Sequence, residues 1–146
     1  CDGVDDYVAT PFVLDRIEGS FSVFAWVSGG APGQVILSQK DEVNWLMADA
    51  ATGALLTELG STGRQGQVLA SQGLITEDTW HRVGFVRDGS DRILYVDDIE
   101  VARDTAASLK PSWGGLYIGA GKGLEPGTFW KGLIDDVRIY DQAVQP

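Results

Sequence analysis

The sequence is poor in the residues that build covalent or thiolate-held scaffolds. It has one cysteine, Cys1, so no intrachain disulfide can form. His81 is its single histidine, and with one thiol that leaves too few ligands for a structural zinc site. Position 1 suits the acylated first residue of a mature bacterial lipoprotein, or equally an arbitrary boundary of a module. No run approaches the ~18 apolar residues of a membrane span. No basic stretch leading into an apolar one opens the chain, so no signal peptide is expected within it. Positive charge is also scarce: 11 Lys and Arg stand against 21 Asp and Glu, a net −10. That balance disfavours phosphate backbones and anionic membrane surfaces as partners. It serves solubility, or gathers a divalent cation.

Glycine is abundant and the apolar spacing is short. With 146 residues, 44% of them hydrophobic, the chain fits one domain with a real core, 1–146. Nineteen glycines with little helical periodicity predict short strands joined by tight turns. "SFSVFAWV" alternates, with Phe21, Val23, Ala25 and Val27 on one face and Phe24 and Trp26 on the other. "QVILSQ", "NWLMAD", "ALLTEL" and "QVLAS" follow, separated by turns and by the loop Gly60 to Gly66. "WHRVGFVRD" and "RILYVDDIEVAR" form the clearest unit, two strands joined at "DGSD" with a return after Asp97-Asp98. "LYIGAG" and Phe129–Tyr140 complete the set. Only "LITEDT", Leu74–Thr79, reads as a helical turn. Roughly ten short strands predict an all-β fold, an antiparallel two-sheet β-sandwich.

The ordered set resembles the laminin-G-like jelly rolls of the concanavalin A-like lectin/glucanase superfamily over nearly the whole chain. "DGVDDYV" is similar to the family's opening strand and "FSVFAWV" to its second. "WHRVGFVRDGSDRILYVDDIEVA" resembles the central hairpin, and "FWKGLIDDVRIYDQAV" the closing strand. The resemblance implies a jelly roll with one concave sheet. One departure stands out: Asp97-Asp98 replaces the usual Asp-Gly, so the turn should survive while its type is open. The fold hosts enzymes, lectins and adhesion modules alike, so the site must decide function.

Two adjacent acids, Asp135 and Asp136, lie in the apolar run Trp130–Val144. A glycosidase needs two carboxyls facing one cleft. Neighbours on a regular strand face opposite ways, so this pair does not qualify on a regular strand. Asp98 and Glu100 alternate correctly but belong to a hairpin mouth. Asp135 shares parity with Leu133, Val137 and Ile139, which predicts that it points to the core and needs a partner. Asp136 goes with Arg138 as a surface pair. The resemblance implies a structural Ca²⁺ where first and last strands meet, with Asp2 and Asp135 as ligands. Hydrogen bonding without metal serves Asp135 equally well.

Sugar binding needs an exposed aromatic face flanked by polar groups. Trp26 and Trp80 sit where the family carries a structural tryptophan, which implies that both are core. Trp130 takes a position usually bulky and apolar there. Trp45 alternates with Met47; it is a core position, or a second ring for a sugar. Trp113, in "KPSWGG", reads as loop and is the stacking candidate, with Arg64 and Gln65 as possible donors. The function expected is a non-catalytic, lectin-like carbohydrate-binding module of a larger secreted or surface protein, bacterial in type, for a polysaccharide or glycan. A protein-interaction or adhesion module is the alternative, and a glycan hydrolase or lyase a weaker one.

Overall fold

The fold is taken from a computed structural model of the chain. It describes residues 6–10, 20–39, 43–58, 69–105, 115–140 and 142–144. Eleven strands lie in these stretches: β1 (Val8–Thr10), β2 (Phe21–Gly29), β3 (Val35–Gln39), β4 (Val43–Ala48), β5 (Ala54–Thr57), β6 (Leu69–Leu74), β7 (His81–Asp88), β8 (Asp91–Val96), β9 (Ile99–Thr105), β10 (Leu116–Ile118) and β11 (Gly132–Tyr140). One sheet runs β1-β10-β3-β4-β5-β6, the other β11-β2-β7-β8-β9. Every strand pair is antiparallel. The expected two-sheet jelly-roll sandwich is what the chain forms. Leu74–Thr79 is not a helical turn: Leu74 ends β6 and the rest bends toward β7.

The alternation of β2 sets the layers. Phe21, Val23, Ala25 and Val27 are buried between the sheets, with Val83, Phe85 and Leu94 of the same sheet. Ile36, Leu37, Trp45, Leu46, Leu55 and Leu116 meet them from the other sheet. Burying each large side chain contributes roughly 1.5–3 kcal/mol. Trp130 is fully buried, as the family position implied, and an added Cβ at Gly30 would lie 2.3 Å from its ring.

The outer face of the five-stranded sheet is divided in two. At one end Phe24, Val86 and Ile93 form a small second cluster, joined by Tyr95, Tyr140 and Val144. The chain after β11 is fastened there by Ser22, whose Oγ donates to the Gln142 carbonyl and accepts from Val144 N–H, both at 2.8 Å. The other end of that face carries Trp26 and is open.

The β8–β9 turn is a two-residue hairpin with Asp97 and Asp98 at φ 53° and 66°. Two positive φ values make it type I′. The two carboxylates are used: Asp97 Oδ2 lies 2.9 Å from His81 Nδ1, and Asp98 Oδ1 accepts from Arg82 Nη1 at 2.6 Å.

A candidate glycan-binding groove on the outer sheet

The site begins with an irregularity in β11. Ile134 pairs with Val27 and Asp135 with Trp26, yet Arg138 pairs with Phe24 and Ile139 with Val23. Two residues, Asp136 and Val137, therefore stand opposite Ala25 alone. This is a β-bulge, and Asp136 takes a left-handed backbone in it, at φ 50°. Aspartate is among the few non-glycine residues that adopt this region.

The bulge changes the facing expected of Asp135. Val137 and Ile139 do pack on the core, but their partner ahead of the bulge is Ile134. Leu133 pairs with Ser28 and is 55% exposed. Asp135 follows Leu133, pairs with Trp26, and is exposed on the outer face. The expectation of a core-facing Asp135 is thus wrong, because one extra residue shifts parity midway along the strand. Asp135 Oδ1 accepts the Asp136 N–H at 2.8 Å. Asp136 Oδ1 accepts from Arg138 Nε at 2.8 Å, the surface pairing expected from the sequence. The hydrogen bond that Arg138 donates to Asp136, followed by one to Tyr140, raises the Arg138 pKa above the ordinary arginine value.

Trp26, Trp80, Asp135, Asp136 and Arg138 together line one groove of about 500 Å³. Trp26 is 38% exposed and Trp80 44%, so neither is the core residue that the family position implied. Trp26 pairs with Arg82 across β2 and β7, and Trp80 precedes Arg82 by two. The rings are therefore diagonal neighbours on one face, with backbones ~7–8 Å apart. The backbone is fixed on both sides of Trp80, at Glu77 and at His81. Gly29 N–H donates to the Glu77 carbonyl at 2.8 Å, and His81 lies between Asp97 and Glu77. Arg82 stacks over Phe24 at 4.5 Å and separates the groove from the covered half of the face.

The residues singled out from sequence fall elsewhere. Trp45 is 1% exposed and packs on Phe21, so its ring offers no face to a ligand. Trp113, Arg64, Gln65 and Asp2 lie outside the described residues. No group of three or more acidic, His or Cys side chains suited to a metal occurs among the described residues. Those residues alone do not fit a calcium ion, which takes six to eight oxygens. Two signals for the groove were present in the sequence. Trp26 has the parity of Phe24, opposite to the core row. Ile134 is out of phase with Val137 and Ile139, which marks an inserted residue between them.

Similar folds have been solved. The binding domain of Paraclostridial Mosquitocidal Protein 1 superposes with a TM-score of 0.75 at 11% identity, over 95% of this chain and 38% of that one. A putative carbohydrate binding protein from Bacteroides ovatus gives 0.74 at 17% identity, over 95% and 42%. Domain 4 of AbnA, a GH43 extracellular arabinanase from Geobacillus stearothermophilus, in complex with arabinotriose, gives 0.57 at 20%, over 96% and 68%. The chain spans about two fifths of the first two. A search of curated proteins finds no match. Residues 2–146 match the laminin-G family description of the Concanavalin A-like lectin/glucanases superfamily, and the chain belongs to that family.

Proposed function

We propose that this chain is a non-catalytic carbohydrate-binding module of a secreted or surface protein, and that the Trp26–Trp80 groove is its binding site. The observation that carries the reading is two half-exposed tryptophans beside two carboxylates and a guanidinium in one groove. Indole faces stack on the apolar face of a sugar ring, and the carboxylates accept hydrogen bonds from its hydroxyls. A few placed polar groups beside aromatic walls are the usual make-up of a ligand site. The solved relatives named as carbohydrate binding, or bound to arabinotriose, support the reading at the level of fold. The extracellular enzyme among them supports the location.

Catalysis has less support, although the bulge places both acids in one groove. Asp136 is committed to Arg138, and no third acid of the described residues joins the pair. Glycoside hydrolysis needs two carboxyls working on opposite sides of a scissile bond.

The test is a glycan array followed by titration with the bound oligosaccharide. Trp26→Ala and Trp80→Ala are each expected to weaken binding about ten-fold or more, some 1.4 kcal/mol. Their melting temperatures should stay near that of the parent, since both rings are half-exposed. Trp113→Ala, Arg64→Ala and Gln65→Ala belong in the same series. Binding to a protein partner with no glycan bound supports the adhesion alternative instead. A structural Ca²⁺ at Asp2 and Asp135 is a separate proposal. A chelator should then lower the melting temperature and added calcium restore it; no change with either removes calcium from the account.

A further inference from the structure

We infer that the groove selects uncharged glycans and rejects those bearing carboxylate or sulfate groups, with Asp135 as the residue that sets this selectivity. The inference rests on the groove being a glycan site. Among the described residues its lining holds two carboxylates against one guanidinium, and that guanidinium is already engaged by Asp136. The next cation among the described residues, Arg82, lies across the strand pair from Trp26 and is held by Asp98 at 2.6 Å. Lys131 is exposed on the approach to β11, four residues before Asp135. At ~3.3 Å per residue that is ~13 Å away, beyond the ~8 Å screening length of physiological salt. Each guanidinium at the groove thus already faces a carboxylate, whereas Asp135 faces none among the described residues. The chain's net −10 adds a field of the same sign.

Charge then discriminates between ligands that stack equally well. A hydroxyl can donate to Asp135. A ligand carboxylate or sulfate in the same position cannot, and it meets a like charge. At ~4 Å in water that repulsion weakens binding about five-fold, and more where the rings exclude solvent.

Matched ligands test this on the intact chain: methyl-esterified against de-esterified oligogalacturonate, xylo-oligosaccharides with and without glucuronate, and dextran against dextran sulfate. They are titrated at low and at physiological salt, beside a broad array of neutral and acidic glycans. The expected result is binding to uncharged members, with anionic counterparts at least about five-fold weaker and the gap narrowing as salt rises. Asp135→Asn, checked for an unchanged melting curve, should raise the anionic-to-neutral affinity ratio by about the same factor. Equal or tighter binding of the anionic member overturns the selectivity while leaving the glycan site standing. An unchanged ratio in Asp135→Asn overturns the role given to Asp135. Binding to no glycan at all overturns both this inference and the function it rests on.

Discussion

At the scale of single residues, close approach governs what the chain tolerates. Gly84 pairs with Phe24 across β7 and β2, and an added Cβ would lie 2.4 Å from the Phe24 ring. Phe24 is hemmed by Tyr95, Tyr140 and the Arg82 guanidinium, so it has little room to yield. Gly84→Ala is expected to cost about 1–3 kcal/mol, read from the urea midpoint at constant slope. The partner at Gly84 is set by strand register, which a single sequence does not display. Burial of Trp130 was implied by the family position, whereas Trp45, alternating with Met47, was left open between the core and a second ring for a sugar. Trp26 is the counter-case. Its alternation with the core row is plain in the sequence, but an outward tryptophan is also consistent with a covered outer face. Only the placement of the chain around Val144 distinguishes the covered half of that face from the open one.

At the scale of elements, the strands were legible, and the bulge of β11 was signalled only by the phase of Ile134 against Val137 and Ile139. Alternation located β2 and the β7–β8–β9 meander within a residue or two, because each faces the core along one row. The last strand was located as well, but its facing was assigned as if regular. One inserted residue exchanges faces for everything on one side of it. Asp136 can be removed to test this. In its absence Asp135 would still oppose Trp26, Val137 would oppose Ala25, and Arg138 would oppose Phe24. The Asp136 deletion is therefore expected to fold cooperatively with a regular β11. It should bind the glycan more weakly, because Arg138 loses the partner that orients it. Circular dichroism melting and titration calorimetry check the two halves separately. A two-residue deletion of Asp136 and Val137 is the control. It puts Arg138 on the core side and should prevent folding, since an unpaired buried charge costs several kcal/mol.

At the scale of the whole molecule, the outer sheet face combines a fastening with a binding surface. Ser22 is fully buried, and its hydroxyl satisfies one carbonyl and one N–H of the segment after β11. Ser22→Ala leaves both without that partner, at a cost of about 1–3 kcal/mol. Faster amide exchange at Val144 should accompany the loss. Glycan affinity should be little changed, because Ser22 sits four residues along β2 from Trp26, ~13 Å. The jelly-roll class was legible from the number, spacing and order of the strands. The location of the groove was not, because it depends on which part of the sheet the segment after β11 covers.

That division of the outer face has a practical consequence for handling the molecule. A linker or reporter joined beyond Val144 departs from the Ser22 end of β2, remote from Trp26 and Trp80. A surface coupled to the module through that linker would present the two indole rings away from its attachment. Coupling through Lys131, beside the start of β11, would put the attachment at the opposite end of β2, the end nearer Trp80. Immobilised assays on the two attachments should therefore report different capacities from the same preparation, with the C-terminal attachment giving the higher one.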